Sequence, residues 1–140
     1  MDKIIIKGRG CGGRAEGEAL VSNKQISFYS DIDPATGEVV NKSTLPEIFG
    51  KTITNKILVF NHGKGGTWTT WILPDMVRAG TAPKAIVMRE VWPIMAEAAL
   101  MAEIPVVDRF DRDPLEIIET GDWIVVDGDK GTVTITKKRE

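Results

Sequence analysis

The sequence is poor in the residues that build disulfides, metal clusters and acid–base sites. Its 140 residues include one cysteine, Cys11, and one histidine, His62. A single cysteine excludes an internal disulfide and cannot by itself ligate a metal cluster. If a cluster takes part in the function, most of its ligands must come from another chain. Nucleophilic catalysis by a Cys–His or Ser–His–Asp arrangement would depend entirely on His62, which we interpret instead as a residue at the end of a strand.

Long apolar runs and clusters of basic residues are also absent. No apolar stretch approaches the roughly 20 residues of a membrane span, and Met1–Lys7 lacks the apolar core of a secretory leader. The formal net charge is −2, and the one basic cluster, at residues 137–139, is typical of a solvated tail. The sequence therefore predicts a cytosolic protein that binds neither membrane nor nucleic acid. The hydrophobic fraction of 42% is enough for a core, and we expect a single domain, residues 1–140.

The hydrophobic pattern predicts a mixed α/β fold. Apolar and β-branched runs predict strands at Lys3–Ile6, Ala15–Ser22, Lys56–Phe60, Lys84–Met88 and Ile104–Val107, with a closing hairpin of Trp123–Asp127 and Thr132–Thr136. Helical spacing predicts a helix from Trp68 to the stop signal at Gly80, and further helices at Pro93–Ala102 and Pro114–Glu119. Pro74 falls inside the first of these and predicts a break or a kink.

The stretch NHGKGGTWTTW, at residues 61–71, lies between a buried strand and a helix. Such a loop presents backbone N–H groups and the positive end of the helix dipole to an anion. Its glycines allow close approach, and its polar side chains are Lys64, Thr67, Thr69 and Thr70. The loop fits neither the P-loop nor the dinucleotide-binding spacing. It predicts a carboxylate or phosphate site, and the alternative is a structural turn whose threonines cap the helix.

Two further features are weaker candidates. Arg89, at the end of the strand after the loop, is suited to pair with an anionic substrate, and the alternative is a surface ion pair with Glu90 or Asp108. The spacing of Asp108, Asp111 and Asp113 suggests a hard cation. We favour a solvated loop, because no partner ligands have the spacing of a cation-binding loop.

Six stretches taken together are more specific than any one motif. They are AEGEALVS (15–22), ISFYSDIDPATGEVV (26–40), KILVFNHGKGGTWTTWIL (56–73), APKAIVMRE (82–90), PIMAEAALMAEIPVVD (93–108) and TGDWIVVDGDKGTVTI (120–135). In this order and spacing they resemble the aconitase X swivel-domain family, over nearly the whole chain. That family includes the small subunit of phosphomevalonate dehydratase and the corresponding part of cis-3-hydroxyproline dehydratase.

The resemblance implies a swivelling β/β/α fold of three layers, as in the aconitase swivel domain. It also implies a heterodimer with a large subunit that carries an iron–sulfur cluster and most of the substrate site. The implied reaction is a dehydration of a hydroxy acid, in which the open iron acts as a Lewis acid on the leaving hydroxyl. This chain would supply a base and a loop of donors for the substrate anion, with no metal ligand of its own.

The resemblance implies roles for the loop, and it also marks a departure. Relatives carry a serine after G-x-G, taken to be the catalytic base, whereas this chain has Gly66 there and a hydroxyl only at Thr67. Thr67 is therefore the candidate base. The residues implied to bind substrate are Lys64, Gly65, Gly66, Thr69, Thr70 and Arg89. Alternatively, the chain serves a different substrate or reaction, or the partner supplies the base.

A second departure from the family lies before the loop, where the small residues of relatives are replaced by Ser30 and Asp31. The added carboxylate of Asp31 is expected to change which substrate charge is accepted. The rival to the enzyme hypothesis is a divergent, non-catalytic anion-binding or regulatory module, in which Gly66 marks lost chemistry. Six tryptophans and methionines have spacings that predict mostly core positions, and some of them should form the partner face if the chain works only in a complex; they are Trp68, Trp71, Trp92, Met88, Met95 and Met101.

Overall fold

Strands and helices alternate through the middle of the chain, between β-rich segments at either end. The computed structural model describes residues 3–26, 30–61, 68–91 and 93–138, without the side chains of residues 68–71 and 94. In chain order the elements are β1 (Lys3–Lys7), β2 (Arg9–Cys11), β3 (Arg14–Ser22), β4 (Ile57–Phe60), α1 (Trp68–Ala79), β5 (Ala85–Met88), α2 (Pro93–Ala102), β6 (Val106–Asp108), α3 (Pro114–Ile117), β7 (Trp123–Asp127) and β8 (Thr132–Thr136).

The strands form one continuous ladder in the order β1-β8-β7-β3-β4-β5-β6-β2. Strand β3 joins its two halves. Residues Arg14–Glu18 pair antiparallel with β7, and Ala19–Ser22 pair parallel with β4. One half is therefore an antiparallel meander of β1, β8, β7 and β3. In the other half β3, β4, β5 and β6 are parallel, and β2 is added antiparallel to β6.

Two hydrophobic clusters define three layers. Alternate residues of β4 enter different clusters, so that strand is buried on both faces, as its unbroken apolar run predicts. One cluster lies between the two sheet halves and includes Ile6, Val59, Val87, Ile124 and Ile135. The other lies between the parallel half and the helices and includes Leu58, Phe60, Leu73, Met76 and Met95. The predicted β/β/α arrangement is confirmed.

The segment of residues 30–53 closes the helical cluster with turns instead of regular strands. Its buried side chains include Ile32, Val39 and Ile53. The stretch Asp33-Pro-Ala-Thr-Gly37 has the residue types of a turn and forms one: the Gly37 N–H donates to the Asp33 carbonyl at 2.7 Å and the Ala35 N–H donates to Asp33 Oδ1 at 2.9 Å. The residues that follow, 38–40, include two β-branched valines and predict an extended segment, but they make isolated bridges only.

Several boundaries differ from the prediction for identifiable reasons. Helix α1 continues through Pro74, so the expected break is wrong; the helix is held by the packing of Leu73 and Met76 in the core. Strand β2 was not predicted, because three exposed residues between glycines carry no hydrophobic pattern. Among the described residues, no helix has the length and apolar character needed to cross a membrane.

Strand β2 passes over the β7–β8 turn at a glycine crossing, formed by Gly8, Gly10, Gly128 and Gly131. The Gly8 N–H donates to the Gly131 carbonyl at 2.7 Å, and the Gly128 N–H donates to the Gly13 carbonyl at 2.8 Å. A Cβ on Gly128 would collide with the carbonyl oxygen of Cys11. The crossing therefore requires glycine, since only bare backbone allows this approach. It fixes where β2 holds Arg9.

Candidate functional site

The carboxyl ends of the parallel strands meet at one edge of the sheet. Strand β4 ends at Phe60, β5 at Met88 and β6 at Asp108, and these strands are neighbours. In open parallel sheets this edge is where ligands bind. The glycine loop that follows β4 leaves the sheet here, so the predicted anion site is attached to the expected place.

The structure describes the frame of that loop and not its tip. Lys64, Gly65, Gly66 and Thr67 lie outside the described residues. Thr69 and Thr70 lie in the first turn of α1, where donors or caps were predicted, but their side chains are also outside the description. The roles assigned to these residues stay predictions, while the predicted strand before them and the predicted helix after them are confirmed.

Asn61 occupies the start of the loop. Its side-chain oxygen, Oδ1, is buried and has no hydrogen-bond partner among the described residues. A buried polar atom without a partner carries a cost of about 1–3 kcal/mol. Asn61 therefore adds an unsatisfied polar group to the edge from which the predicted anion loop leaves.

Arg89 is engaged in an ion pair that the sequence did not predict. Its Nε and Nη2 atoms donate to the two carboxylate oxygens of Asp113 at 3.0 and 2.7 Å. Asp113 is also the N-cap of α3, accepting from the Leu115 N–H at 3.0 Å. The hydrogen bonds from Arg89 lower the pKa of Asp113. The expected alternative partners, Glu90 and Asp108, are wrong, because each pairs with another arginine.

A cleft of about 830 Å³ opens at the same edge, between β2, the end of β6 and the start of α2. The side chains in it that bear on ligand binding are Arg9, Cys11, Gln25, Glu90, Asp108 and Arg109, and Arg89 does not line it. This volume lies in the range of small-molecule pockets. The cleft is thus a candidate ligand site at the carboxyl edge of the parallel strands.

Arg9 and Asp108 form the most constrained pair in the cleft. Asp108 is 1% exposed, and its two oxygens accept from Nε and Nη2 of Arg9, each at 3.1 Å. Asp108 also accepts from the Val91 N–H at 2.7 Å, which ties the β5–α2 connection to the end of β6. The hydrogen bonds to Asp108 raise the pKa of Arg9 above its usual value. Arg9 is therefore a permanent cation held in one orientation.

Arg109 lies on the other side of Glu90. Its Nη2 donates to Glu90 Oε1 at 3.0 Å, and both side chains are more than half exposed. Its backbone has a positive φ of 53°, and its N–H donates to the Arg89 carbonyl at 2.9 Å. This contact couples the connections that follow β5 and β6.

The acidic stretch after β6 is neither a cation site nor fully solvated. Asp108 and Asp113 pair with arginines, and Asp111 accepts from the backbone N–H of Lys7 at 3.0 Å. Among the described residues no three His, Cys, Asp or Glu side chains form a metal-binding group. The solvated-loop interpretation is wrong for Asp108, whose carboxylate is buried by its pairing with β2.

Asp31, expected to tune the substrate charge, is buried and has several partners. Its Oδ1 accepts from Asn41 Nδ2 at 2.9 Å, from Thr44 Oγ1 at 3.0 Å and from Ser30 Oγ at 3.3 Å. These bonds hold the segment of residues 30–53 together. Of the methionines predicted to be mostly core, Met88 and Met95 are fully buried and Met101 is 59% exposed. Trp92 and the side chains of Trp68 and Trp71 lie outside the described residues.

Comparison with known proteins defines the class to which this fold and edge belong. The chain is a member of the aconitase X swivel-domain family, whose model matches residues 5–135. It is 41% identical to the phosphomevalonate dehydratase small subunit of Methanosarcina mazei, over 100% of this chain and 96% of that relative. It is 44% identical to the corresponding subunit of Archaeoglobus fulgidus, over 88% and 91% of the two chains.

A solved structure supports the same assignment. The crystal structure of Thermococcus kodakaraensis aconitase X in its holo-form superposes with a TM-score of 0.88 at 39% identity, covering 96% of this chain and 99% of that one. The predicted family and fold are confirmed.

Sequence reasoning missed the cleft arginines. Arg9 lies in the glycine-rich GRGCGG stretch, and Arg109 directly follows the apolar run IPVV and Asp108. A cation immediately after a buried parallel strand is a signal for the ligand edge and points to Arg109. Nothing local points to Arg9, because its place depends on the pairing of β2 with β6.

Proposed function

We propose that this chain is the small subunit of an aconitase X-type hydro-lyase that removes water from phosphomevalonate. The observation that carries the proposal is similarity along the whole chain, at about 40% identity, to subunits that bear this function in their names. A small subunit implies a large one, so the active enzyme is a heterodimer. The cytoplasmic location expected from the sequence stays a prediction.

The chemistry defines what this chain must contribute. Phosphomevalonate is a 3-hydroxy acid with a phosphate at its far end. Loss of water takes a proton from C2 and the hydroxyl from C3, and the electron pair of the C2–H bond forms the C2=C3 double bond. The reaction therefore needs a proton acceptor at C2. It also needs hydrogen-bond donors to the carboxylate, because the negative charge that develops at C2 spreads onto the carboxylate oxygens.

The loop after β4 is assigned these two tasks. Thr67, with its hydroxyl ionised to an alkoxide, accepts the proton from C2 and becomes a neutral hydroxyl, and the backbone N–H groups of Gly65 and Gly66 bind the carboxylate with Lys64. A hydroxyl is a weak base at neutral pH and needs activation by a neighbouring group; Lys64, three residues earlier, supplies a positive charge. Thr69 and Thr70 act as further donors or as caps of α1.

The residues of this chain do not fit an iron–sulfur cluster. Such clusters are held by several cysteine thiolates, whereas this chain has Cys11 alone, exposed on β2. The described residues also offer no group of three metal ligands. In our proposal any cluster belongs to the large subunit, and this chain supplies the proton acceptor and the anion site.

Co-expression tests the proposal. The chain and the large subunit encoded in the same genome are purified together without oxygen, and the double bond formed from phosphomevalonate is followed by NMR. We expect the complex to turn over and each subunit alone to be inactive. A stable, iron-containing complex that leaves phosphomevalonate and other 3-hydroxy acids unchanged would instead support the non-catalytic module.

Variants of residue 67 test the assigned base. Thr67→Ala should lower kcat by about 10²- to 10⁴-fold, the usual contribution of a general base, while Thr67→Ser should retain most of it. Thr136→Ala serves as the matched control, because it removes the same hydroxyl from β8, outside the loop and the cleft. Equal activity of Thr67→Ala and the native complex would assign the base to the partner.

A further inference from the structure

The cleft at the end of β6 carries arginine side chains to which the proposed function assigns no role. Its two carboxylates are already engaged. Both oxygens of Asp108 accept from Arg9, and Glu90 Oε1 accepts from Arg109. The guanidinium groups keep N–H donors beyond these bonds, since Arg9 uses only Nε and Nη2 of its five-donor fork. Those spare donors have no partner among the described residues.

The arrangement of the Arg9–Asp108 pair places a positive charge at the surface of the cleft. The Asp108 side chain is 2% exposed, whereas that of Arg9 is 57% exposed. The negative end of the pair is therefore buried in the sheet, and the positive end faces the cleft. A guanidinium fixed by a carboxylate behind it presents its other face ready for a second oxyanion, which is the geometry in which arginine binds phosphate.

The spacing of the strands gives the distance that one substrate must span to contact both the loop after β4 and Arg9. Strands β4 and β6 are separated by β5, so their ends lie two strand spacings apart, roughly 10 Å. The phosphomevalonate chain has six bonds of roughly 1.5 Å between its carboxyl carbon and its phosphorus. Such a zigzag chain spans roughly 7–8 Å, and the hydrogen bonds from its terminal oxygens to their donors add roughly 3 Å at each end. A substrate whose carboxylate is held at the loop after β4 is therefore long enough to place its phosphate against donors at the end of β6.

We infer that this cleft is the phosphate pocket of the substrate, in which Arg9, oriented by Asp108, binds the phosphate and Arg109 assists. The inference rests on the proposed function, because it takes phosphomevalonate as the substrate. It divides the two anionic ends of the substrate between two places, the loop after β4 and the β2–β6 edge. Gln25, also in the cleft, provides an uncharged donor.

Kinetics of arginine variants in the two-subunit complex test the inference. Arg9→Gln should raise KM for phosphomevalonate by about 10- to 100-fold, the range for a lost charge-assisted hydrogen bond, and change kcat less than about threefold. Arg109→Gln should raise KM by about 3- to 10-fold. Arg14→Gln is the matched control, because Arg14 is an exposed β3 residue that pairs with Glu16 outside the cleft; it should leave KM unchanged.

Two inhibitors separate the ends of the substrate. Inorganic phosphate should inhibit competitively, and its inhibition constant should rise in Arg9→Gln in parallel with KM. Mevalonate, which has the carboxylate and lacks the phosphate, should inhibit both forms equally. If Arg9→Gln weakens mevalonate as much as phosphomevalonate, Arg9 binds the carboxylate and the phosphate assignment is wrong.

Stability is controlled by a conservative change. Arg9→Gln leaves Asp108 buried without its cation, which is expected to lower the melting temperature of its complex; Arg9→Lys keeps the charge and loses the fork. The inference is therefore judged on the Arg9→Lys and Arg109→Gln complexes, once each is shown to melt at the temperature of the native complex. Unchanged KM and unchanged phosphate inhibition in both would overturn the inference.

The inference can fail separately from the proposed function. If the native complex does not dehydrate phosphomevalonate, the function fails, and ³¹P line broadening of inorganic phosphate by the complex still tests the pocket. Broadening that is lost in Arg9→Gln and kept in Arg14→Gln supports the pocket. Absence of broadening with the native complex overturns it.

Discussion

Asp122 is the buried carboxylate that joins the start of β7 to the residues after β8. It is fully buried and accepts from Lys137 Nζ at 2.6 Å, from the Glu119 N–H at 2.8 Å and from the Lys138 N–H at 2.9 Å. Burial alone would raise the pKa of Asp122, but these hydrogen bonds outweigh it and hold that pKa below its usual value. The carboxylate is thus ionised at neutral pH.

The pH dependence of stability follows from the sign of these shifts. A carboxylate with a lowered pKa stabilises the fold above its unfolded pKa of about 3.9, and this contribution is lost as pH falls through the lower folded value. The pKa of Lys137 is raised: burial alone would lower it, and the bonds to Asp122 and Glu119 outweigh burial. The contribution of Lys137 is complete below about pH 10.4 and is lost above it.

Replacing Asp122 should therefore cost stability at neutral pH, and this cost should shrink as pH falls below about 3.9. We expect Asp122→Asn to lower the free energy of unfolding by about 2–3 kcal/mol at pH 7, because it removes the charge from three hydrogen bonds in a buried site. Urea denaturation at pH 7 and pH 3 measures both values. Asp129→Asn, an exposed change in the β7–β8 turn, is the control and should stay within about 0.5 kcal/mol of the native chain at both pH values.

The site shows which residues local sequence can predict. Glycine and threonine content predicts an anion-binding loop after β4, because those residue types serve a turn and an anion in any fold, and this stays a prediction since residues 62–67 lie outside the described part of the chain. Arg9 and Asp108 were not predicted as a pair, since they are 99 residues apart and meet only because β2 pairs with β6. Asp122, in the turn-like TGDW, likewise gives no local sign of its partner Lys137.

Among the elements, β2 depends on the glycine crossing for its position. A Cβ at Gly128 would meet backbone carbonyls of Cys11 and Gly12, which cannot move without moving β2. The Gly13 carbonyl accepts from the Gly128 N–H, yet a Cβ added at Gly13 would meet no atom within 4 Å. The two glycines are thus joined by a hydrogen bond, but only Gly128 is closely surrounded.

Alanine at these two glycines should have opposite outcomes. Gly128→Ala should lower the free energy of unfolding by about 2 kcal/mol or more, because it forces backbone apart in a packed crossing. It should also weaken phosphomevalonate binding by the complex, since β2 holds Arg9. Gly13→Ala should change stability by less than about 1 kcal/mol. Thermal denaturation compares the two, and equal losses would contradict the steric account.

Regular elements were predictable where burial imposes a pattern. The buried strands β4 and β5, helix α2 and the final hairpin were found within about two residues, because apolar runs and turn residues mark them. Strand β2 and most of residues 30–53 were missed, since an exposed edge strand and an irregular segment have no such period; the turn at Asp33–Gly37 is the exception, because its residue types mark it. The path of α1 through Pro74 shows packing overriding a local preference.

For the whole molecule, the strand order has an unusual closure. Strands β1 and β2 stand at opposite ends of the eight-strand order, yet Gly8 alone separates them in the chain. The ladder must therefore curl until its two outer strands meet at this residue. The three-layer arrangement follows, with the meander folded back over the parallel half.

Hydrogen exchange tests this closure. A strand at the end of a chain normally frays and exchanges quickly. Here the amides of β1 that bond to β8 should exchange almost as slowly as those of β4 and β5, because opening β1 disrupts the cluster between the sheet halves. Exchange of Ile4 and Ile6 that is a thousandfold faster than that of Val59 would show that β1 opens independently. Exposed Gly13 provides the fast reference.

The pairing of Ile6 with Val133 has a consequence for the order of events during synthesis. Strand β1 leaves the ribosome before its partner β8 has been made, and β8 follows every other strand that the structure describes. Contacts this distant in sequence form slowly and late. Strand β1 cannot be covered until β8 has been synthesised, so assembly with a large subunit is expected to follow translation.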